Sequence, residues 1–173
     1  MVQDYIVRKA KPEEYKEIGR LMITVYSTLK GFPNENEQPD YYKMLANIVD
    51  FAKKEDTDLL VAVTVDKTIA GAVVYFGDMQ HYGSGGTATK EKNASGFRLL
   101  AVDVSKRGEG VGSLLVKECI TKAKDKKALQ LIIHTTDAMK IAWKMYENMG
   151  FKRAFNLDFM QGALKVYGFK LRF

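Results

Sequence analysis

In the run Leu100-Ala101-Val102-Asp103-Val104-Ser105-Lys106-Arg107-Gly108-Glu109-Gly110-Val111-Gly112-Ser113-Leu114-Leu115, a strand pattern, a glycine-rich turn and a helix pattern follow one another without a break. Apolar residues alternate from Leu100 to Val104, which is strand spacing. Gly108, Gly110 and Gly112 then strip side chains from a tight turn, and Val111, Leu114 and Leu115 begin a helix-spaced stripe. A strand that enters a helix through such a turn aims several backbone N–H groups at one spot, at the positive end of the helix dipole. That is an anion site, most often a phosphate site. Arg107 at its mouth adds a cation within reach of phosphate oxygens.

Three phosphate-binding patterns compete for this turn. A P-loop requires Gly-Lys followed by Ser or Thr, and Gly112-Ser113 lacks the lysine. A dinucleotide fingerprint requires G-x-G-x-x-G and an acid about 20 residues on. The turn is G-x-G-x-G instead, and Lys126-Lys127-Ala128-Leu129 holds no acid. The third pattern is R-x-x-G-x-G after a strand ending L-A-V, matched by Arg107 to Gly112.

In that third pattern the chain resembles the GNAT acetyltransferase superfamily, whose turn of this form holds the pyrophosphate of acetyl-coenzyme A. A second block strengthens the resemblance: Ala142-Trp143-Lys144-Met145-Tyr146-Glu147-Asn148-Met149-Gly150-Phe151 is similar to the superfamily's A-x-x-L-Y-E-x-x-G-F, with Met145 in place of Leu. Between the blocks, Leu129 to His134 reads as a buried strand, where the family has its next strand. The resemblance is good from about Gly71 to Phe155 and only outlined in the N-terminal third.

Composition is compatible with that class. A chain of 173 residues, 46% hydrophobic, is normally one domain with a sizeable core, so residues 1–173 are read as a single N-acetyltransferase-like domain. The lone Cys119 excludes an internal disulfide and suits a reducing compartment. It falls in the helix after the turn and is read as packing. Met1-Val2-Gln3-Asp4-Tyr5 lacks a signal-peptide pattern, and no run approaches the ~18–20 apolar residues of a membrane span. The expected location is the cytoplasm, with no membrane partner. A net charge of +6 raises nucleic acid as a partner. The lysines are scattered, however, and the cluster Lys122 to Lys127 sits at a helix end, where cations are favourable. Nucleic acid is therefore not expected.

The pattern along the chain alternates. Tyr5-Ile6-Val7 reads as a strand, and Pro12 opens a helix with Tyr15, Ile18, Met22, Val25 and Leu29 on one face. A second helix carries Tyr42, Leu45, Ile48, Val49 and Ala52 inward. Leu59–Val63 and Ile69–Tyr75 form a hairpin through Asp66-Lys67. Residues 77–96 read as a long surface loop. A strand over 97–104, a helix over 110–124, a strand near Leu131, a helix over 138–149 and a closing hairpin of 151–159 with 165–173 complete the layout. The expected fold is α/β (α+β in some schemes): one GNAT-like domain, with a central mixed, mostly antiparallel sheet and helices on both faces. The strands around Leu100 and Leu131 should be adjacent, parallel and diverging.

The resemblance implies a chemistry. The backbone of Leu100, Val102 and Val104 would meet the pantetheine arm, and an N–H near Leu100 or Ala101 would stabilise the oxyanion on the thioester carbonyl. Arg107, Gly108, Glu109, Gly110, Val111, Gly112 and Ser113 would surround the pyrophosphate. Tyr146 stands where many members place the tyrosine that protonates the departing thiolate, and a phenol of pKa ~10 holds its proton at neutral pH. Lys144 falls where a basic residue often meets the nucleotide phosphate. Met139 replaces an asparagine that commonly bonds the pantetheine arm; Asp137 is either its substitute or the helix N-cap.

No general base stands out. Many relatives place a glutamate on the strand before the turn, and this strand has Arg98 there. His81, His134, Asp103 and a water held by the backbone are the remaining candidates. Tyr26, Phe32, Glu35, Glu37, Asp40, Tyr41 and Tyr42 crowd the first helix junction, where aromatic walls with acids would suit a cationic amine. The leading function is an acetyl-coenzyme A-dependent N-acetyltransferase acting on a primary amine by direct attack within a ternary complex. It takes acetyl-coenzyme A as cosubstrate and no metal, and a homodimer is compatible with it. The other class keeps the fold and pocket for sensing or regulation without turnover.

Overall fold

Residues 4–173 are described by a computed structural model; the Met1–Gln3 part of the N-terminal reading lies outside the described residues. The apolar runs at Leu59–Val63 and Ile69–Tyr75 become two buried strands, β2 (Thr57–Thr64) and β3 (Ile69–Phe76). The turn between them forms where Lys67 takes a positive φ of 68° and Thr64 bonds Asp66. Around this hairpin lie β1 (Tyr5–Lys9), β4 (Ala94–Val102), β5 (Gln130–Thr135), β6 (Lys152–Arg153), β7 (Phe159–Gln161) and β8 (Leu164–Arg172). The eight strands run in the order β1-β2-β3-β4-β5-β8-β6, with β7 paired to β8. Every pairing is antiparallel except β4 with β5, so the sheet is mixed and mostly antiparallel, as expected.

Helices cover both faces. On one side α1 (Tyr15–Ser27) and α2 (Pro39–Ala46) bury Ile18, Met22, Leu45 and Tyr42 against Val74 and Phe76. On the other, α3 (Val111–Asp125) and α4 (Lys140–Asn148) bury Leu115, Val116, Cys119 and Tyr146 against Leu131, Ile133 and Phe169. The apolar stripes at helical spacing are what seat these elements.

Several boundaries differ from the sequence reading. The second helix stops at Ala46 and tightens into a 3-10 segment, Ile48–Lys53. There the Asn47 side chain donates to the Lys43 carbonyl at 2.8 Å, which competes with helix continuation. Residues 77–93 are not simply a surface loop. Met79, Tyr82 and Ala88 are fully buried, because two short 3-10 turns (Met79–His81 and Ala88–Lys90) turn them into the core cluster that α1 and α2 also enter. The closing hairpin forms as expected, with β6 and β7 both antiparallel to β8, but the 3-10 turn Phe155–Leu157 divides its first arm and β8 inserts between β5 and β6. At the end of α3, Lys122 pairs with Asp58 at 2.9 Å and Lys126 pairs with Asp56, so part of the lysine cluster is tied to β2.

The closest helix–helix approach makes a stability prediction. A Cβ on Gly19 would lie 2.5 Å from the Ala46 carbonyl oxygen, which is backbone and cannot rotate away. Alanine gains about 1 kcal/mol of helix propensity over glycine, while overpacking a tight contact costs about 1–3 kcal/mol. Gly19→Ala is therefore expected to be net destabilising, by up to about 2 kcal/mol in urea denaturation. Unchanged or increased stability would show that α2 moves aside without cost.

Candidate active site

The parallel pairing of β4 with β5 covers only Ala94–Gln130, Ser95–Leu131 and Gly96–Ile132. Beyond it the two strands part, although β4 runs on to Val102 and β5 to Thr135. Within β4 the register against β3 shifts between Ala72 and Val74, and Leu99 takes a left-handed φ of 61°. A bulge of this kind bends and twists its strand, here at the point of parting. The Tyr26 hydroxyl, from α1, donates to the Leu100 carbonyl at 3.3 Å. Thr135 Oγ1, at the end of β5, is buried without a partner among the described residues, a hydroxyl with unspent bonding capacity beside the gap.

The chain then turns into α3. Gly110 is the N-cap, in the left-handed region at φ 84°, and no side chain caps the helix. The first-turn N–H groups of Val111, Gly112 and Ser113 are thus left for an external acceptor. A Cβ at Gly108 or Gly110 would meet nothing within 4 Å, so the turn is open to solvent. Beside it, Ser113, Lys140, Ile141, Lys144 and Met145 line an open hollow of about 550 Å³ between α3 and α4. The turn has what a diphosphate needs: uncapped amides, a helix N-terminus and no obstructing side chain.

Of the residues singled out in the sequence, the structure gathers Leu100, Ala101 and Val102 along the parted edge, Gly108 to Ser113 at the helix start, Arg107 exposed before it, and Lys144 and Tyr146 on α4. Two placements are corrected. Val104 is not strand: β4 ends at Val102, where Asp103 accepts from the Ser105 N–H at 2.8 Å and starts a 3-10 turn. Val104 is 55% exposed there. Asp137 is not the cap of α4, since Met139 occupies the N-cap position without a side-chain cap bond. Asp137 instead accepts from the Tyr167 hydroxyl at 3.1 Å, and the Met139 side chain packs on the α1–α2 side. Glu109 accepts from Tyr5 at 2.8 Å.

Tyr146 is buried between Phe97 and Phe151, with ring centroids at 5.9 and 5.7 Å. Burial first, then the neighbouring Tyr82 and Cys119, push its phenol well above the ordinary value. Burial raises the Cys119 thiol likewise, which suits packing and not attack.

Two of the candidate bases, His134 and Asp103, are engaged by hydrogen bonds. His134 Nε2 faces the Leu157 carbonyl at 2.8 Å, and a carbonyl only accepts, so Nε2 carries the proton. Nδ1 then accepts from the Tyr82 hydroxyl at 3.0 Å. Asp103 accepts from both the N–H and the hydroxyl of Ser105, which holds its carboxyl below the usual range. His81 lies in the 3-10 turn after β3.

Over the gap, Tyr26, Phe32 and Tyr41 form an aromatic wall with centroids 5.5–6.1 Å apart. The acids expected to accompany it do not: Glu35, Glu37 and Asp40 are exposed, while Tyr42 donates to the Pro33 carbonyl. The charge inside is Arg98, which sequence reasoning noted only as an absent acid. Its place on the inner face follows from alternation with Phe97, Leu99 and the bulge, which no local pattern reveals. Among the described residues no group of three or more His, Cys, Asp or Glu side chains could hold a metal ion, and no helix is long and apolar enough to cross a membrane.

The model of the acetyltransferase (GNAT) family matches residues 22–151, and the chain belongs to that family. No curated protein matches its sequence. Among solved structures it is similar to a GNAT-family acetyltransferase from Staphylococcus aureus Mu50, at 16% identity and TM-score 0.74, covering 98% of this chain and 99% of that one. It is similar also to the PaiA N-acetyltransferase of Thermoplasma acidophilum in complex with coenzyme A, at 14% and 0.73, covering 98% and 99%. A Salmonella typhimurium protein whose structure contains its cofactor acetyl-CoA matches at 14% and 0.69, covering 97% and 93%. At such identities these likenesses carry the fold.

Proposed function

We propose that the chain, acting as one domain in the cytoplasm, transfers the acetyl group of acetyl-coenzyme A to a primary amine by direct attack within a ternary complex. The observation that carries this reading is the parting of β4 from β5 directly ahead of the uncapped, glycine-opened start of α3. The acetyl-CoA and coenzyme A held by two similar folds support the choice of donor. When bound, acetyl-coenzyme A supplies an acyl group activated as a thioester.

Each part of the site then has a task. The amides of Val111, Gly112 and Ser113 hold the diphosphate, with Arg107 and Lys144 adding positive charge at its edges. The exposed edge of β4 at Leu100 and Val102 bonds the pantetheine arm as a neighbouring strand would, and Thr135 Oγ1 offers a further bond. A backbone N–H at Leu100 or Ala101 donates to the oxygen on which charge develops. Tyr146 donates a hydrogen bond to the departing sulfur. Since burial raises its phenol and a thiol of coenzyme A type has a pKa of ~8.5, full proton transfer before departure is uphill, and the benefit is modest. Tyr146→Phe is expected to lower kcat about 10-fold, below the usual range of about 10²–10⁴-fold for acid catalysis, with coenzyme A affinity unchanged by calorimetry. An unchanged kcat under conditions where chemistry limits turnover would return Tyr146 to packing alone.

The engagement of both His134 nitrogens and of Asp103 favours one second reading, a sensor that binds the acyl donor without turnover. Initial rates decide the mechanism. A ternary complex gives intersecting double-reciprocal lines, and parallel lines would indicate an acylated protein.

A further inference from the structure

Arg98 stands on β4 two residues past Gly96, the last residue paired with β5, on the face covered by α1 and α2. Its guanidinium donates one N–H to the Tyr82 carbonyl at 2.9 Å. It also lies over the rings of Phe51 and Tyr82, with centroid distances of 5.7 and 5.6 Å. Among the described residues no carboxylate is within ion-pair distance of it. Arg8, Lys122, Arg153 and Lys170, which are similarly enclosed, each meet an acid. A half-buried cation without a counter-charge carries a desolvation cost that a bound anion would offset. Tyr82, over which the guanidinium lies, belongs to the same core cluster as Tyr26 and Tyr42 on the α1–α2 side.

We propose that Arg98 binds the carboxylate of a small amino acid whose amino group is acetylated, a role that rests on the acetyl-transfer reading above. A guanidinium presents parallel N–H donors that match a carboxylate, and the aromatic wall of Tyr26, Phe32 and Tyr41 offers the accompanying side chain an apolar surface. The carboxylate of an amino acid normally holds the proton on its neighbouring amine; pairing it with Arg98 removes that effect and eases deprotonation. The balance is simple: the ammonium loses one proton to solvent, the nitrogen–acyl bond forms as the carbon–sulfur bond breaks, and the second proton lost by nitrogen balances the one that coenzyme A gains as it leaves as its thiol. A small acceptor is favoured over a polypeptide because the approach is latched. Gln161 Nε2 donates to Gln38 Oε1 at 2.6 Å, tying the β7–β8 hairpin to the start of α2, and a Cβ at Gly31 would lie 3.9 Å from Ala138 Cβ, which brings the loop after α1 to the segment before α4.

The test uses the standard L-amino acids, each as free acid and as carboxamide, with full-length wild type, Arg98→Met and Arg98→Lys. Thiol release from acetyl-coenzyme A gives kcat/KM, calorimetry with coenzyme A present gives affinity for the acids and their N-acetyl products, and thermal unfolding confirms folding. Wild type should prefer at least one free acid over its carboxamide. That preference should fall about 10- to 100-fold in Arg98→Met, the range for loss of a charge-assisted pair, with partial recovery in Arg98→Lys. Acids that bind in an Arg98-dependent manner without thiol release would uphold the carboxylate site and remove the transfer reading. Transfer to carboxamides or simple amines as readily as to acids, or a preference unaltered in Arg98→Met, would overturn the proposal and leave transfer intact. Failure of every amino acid both to bind and to react would also overturn it.

Discussion

Gly112→Asp is expected to weaken coenzyme A binding at least about 100-fold while leaving the protein as stable as wild type or slightly more so. A Cβ at position 112 has ordinary room, its nearest neighbours being Met145 and Val102 side chains at 3.6 Å, and Gly112 has no positive φ to strain. Position 112 lies in the first turn of α3, where a carboxylate interacts favourably with the helix dipole, by about 0.3–1 kcal/mol. The same carboxylate occupies the field that would hold a diphosphate. Like charges about 4 Å apart at the effective dielectric of a protein surface repel by about 4 kcal/mol, which exceeds 100-fold in Kd. Binding and stability thus move in opposite directions, which separates a damaged anion site from a damaged fold. Gly112→Ala serves as the control and should bind nearly normally. Equal affinity in wild type and Gly112→Asp would mean that this turn does not hold the phosphates.

The second large effect is on stability against pH. Burial, the largest cause, and the nearby Arg98 guanidinium lower the His134 pKa from 6.5 to about 4, against the opposing influence of Leu157 and Asp158. The unfolded chain therefore takes up the proton first as pH falls below 6.5. The stabilisation is fully present above that value and is lost progressively until about pH 4. At about 1.4 kcal/mol per unit, the loss is about 3 kcal/mol. Urea denaturation from pH 7 to 4 should show this decline beyond the common acid loss, and His134→Gln should lack it. A parallel decline in both proteins would mean that the imidazole is not held neutral between Tyr82 and Leu157.

The parts of the fold legible in the sequence are those specified by local pattern. The run from Leu100 through Gly112 states strand, open turn and helix in order, and the continuous apolar segments of β2 and β3 announce strands buried on both faces. The divergence of β4 from β5 followed from the resemblance and not from any residue in either strand. What stayed hidden is tertiary. Nothing near Tyr82 indicates that its hydroxyl meets His134, 52 residues away. Residues 77–93 looked polar and loop-like, yet three of their side chains complete the core cluster that α1 and α2 also enter. Arg98 looked like the loss of an acid, because its meaning depends on Phe51 and Tyr82 coming over it from two other segments. Asn47 ended α2 through one side-chain bond that periodicity cannot register.

The most direct measurement of the central claim is to mix the protein with acetyl-coenzyme A and a broad panel of primary amines, following free thiol and identifying products by mass. The account predicts thiol and N-acetyl amine in equal amounts for at least one amine, dependent on the protein and lost in Gly112→Asp. Tight binding of acetyl-coenzyme A with no acetylated product from any amine would contradict it.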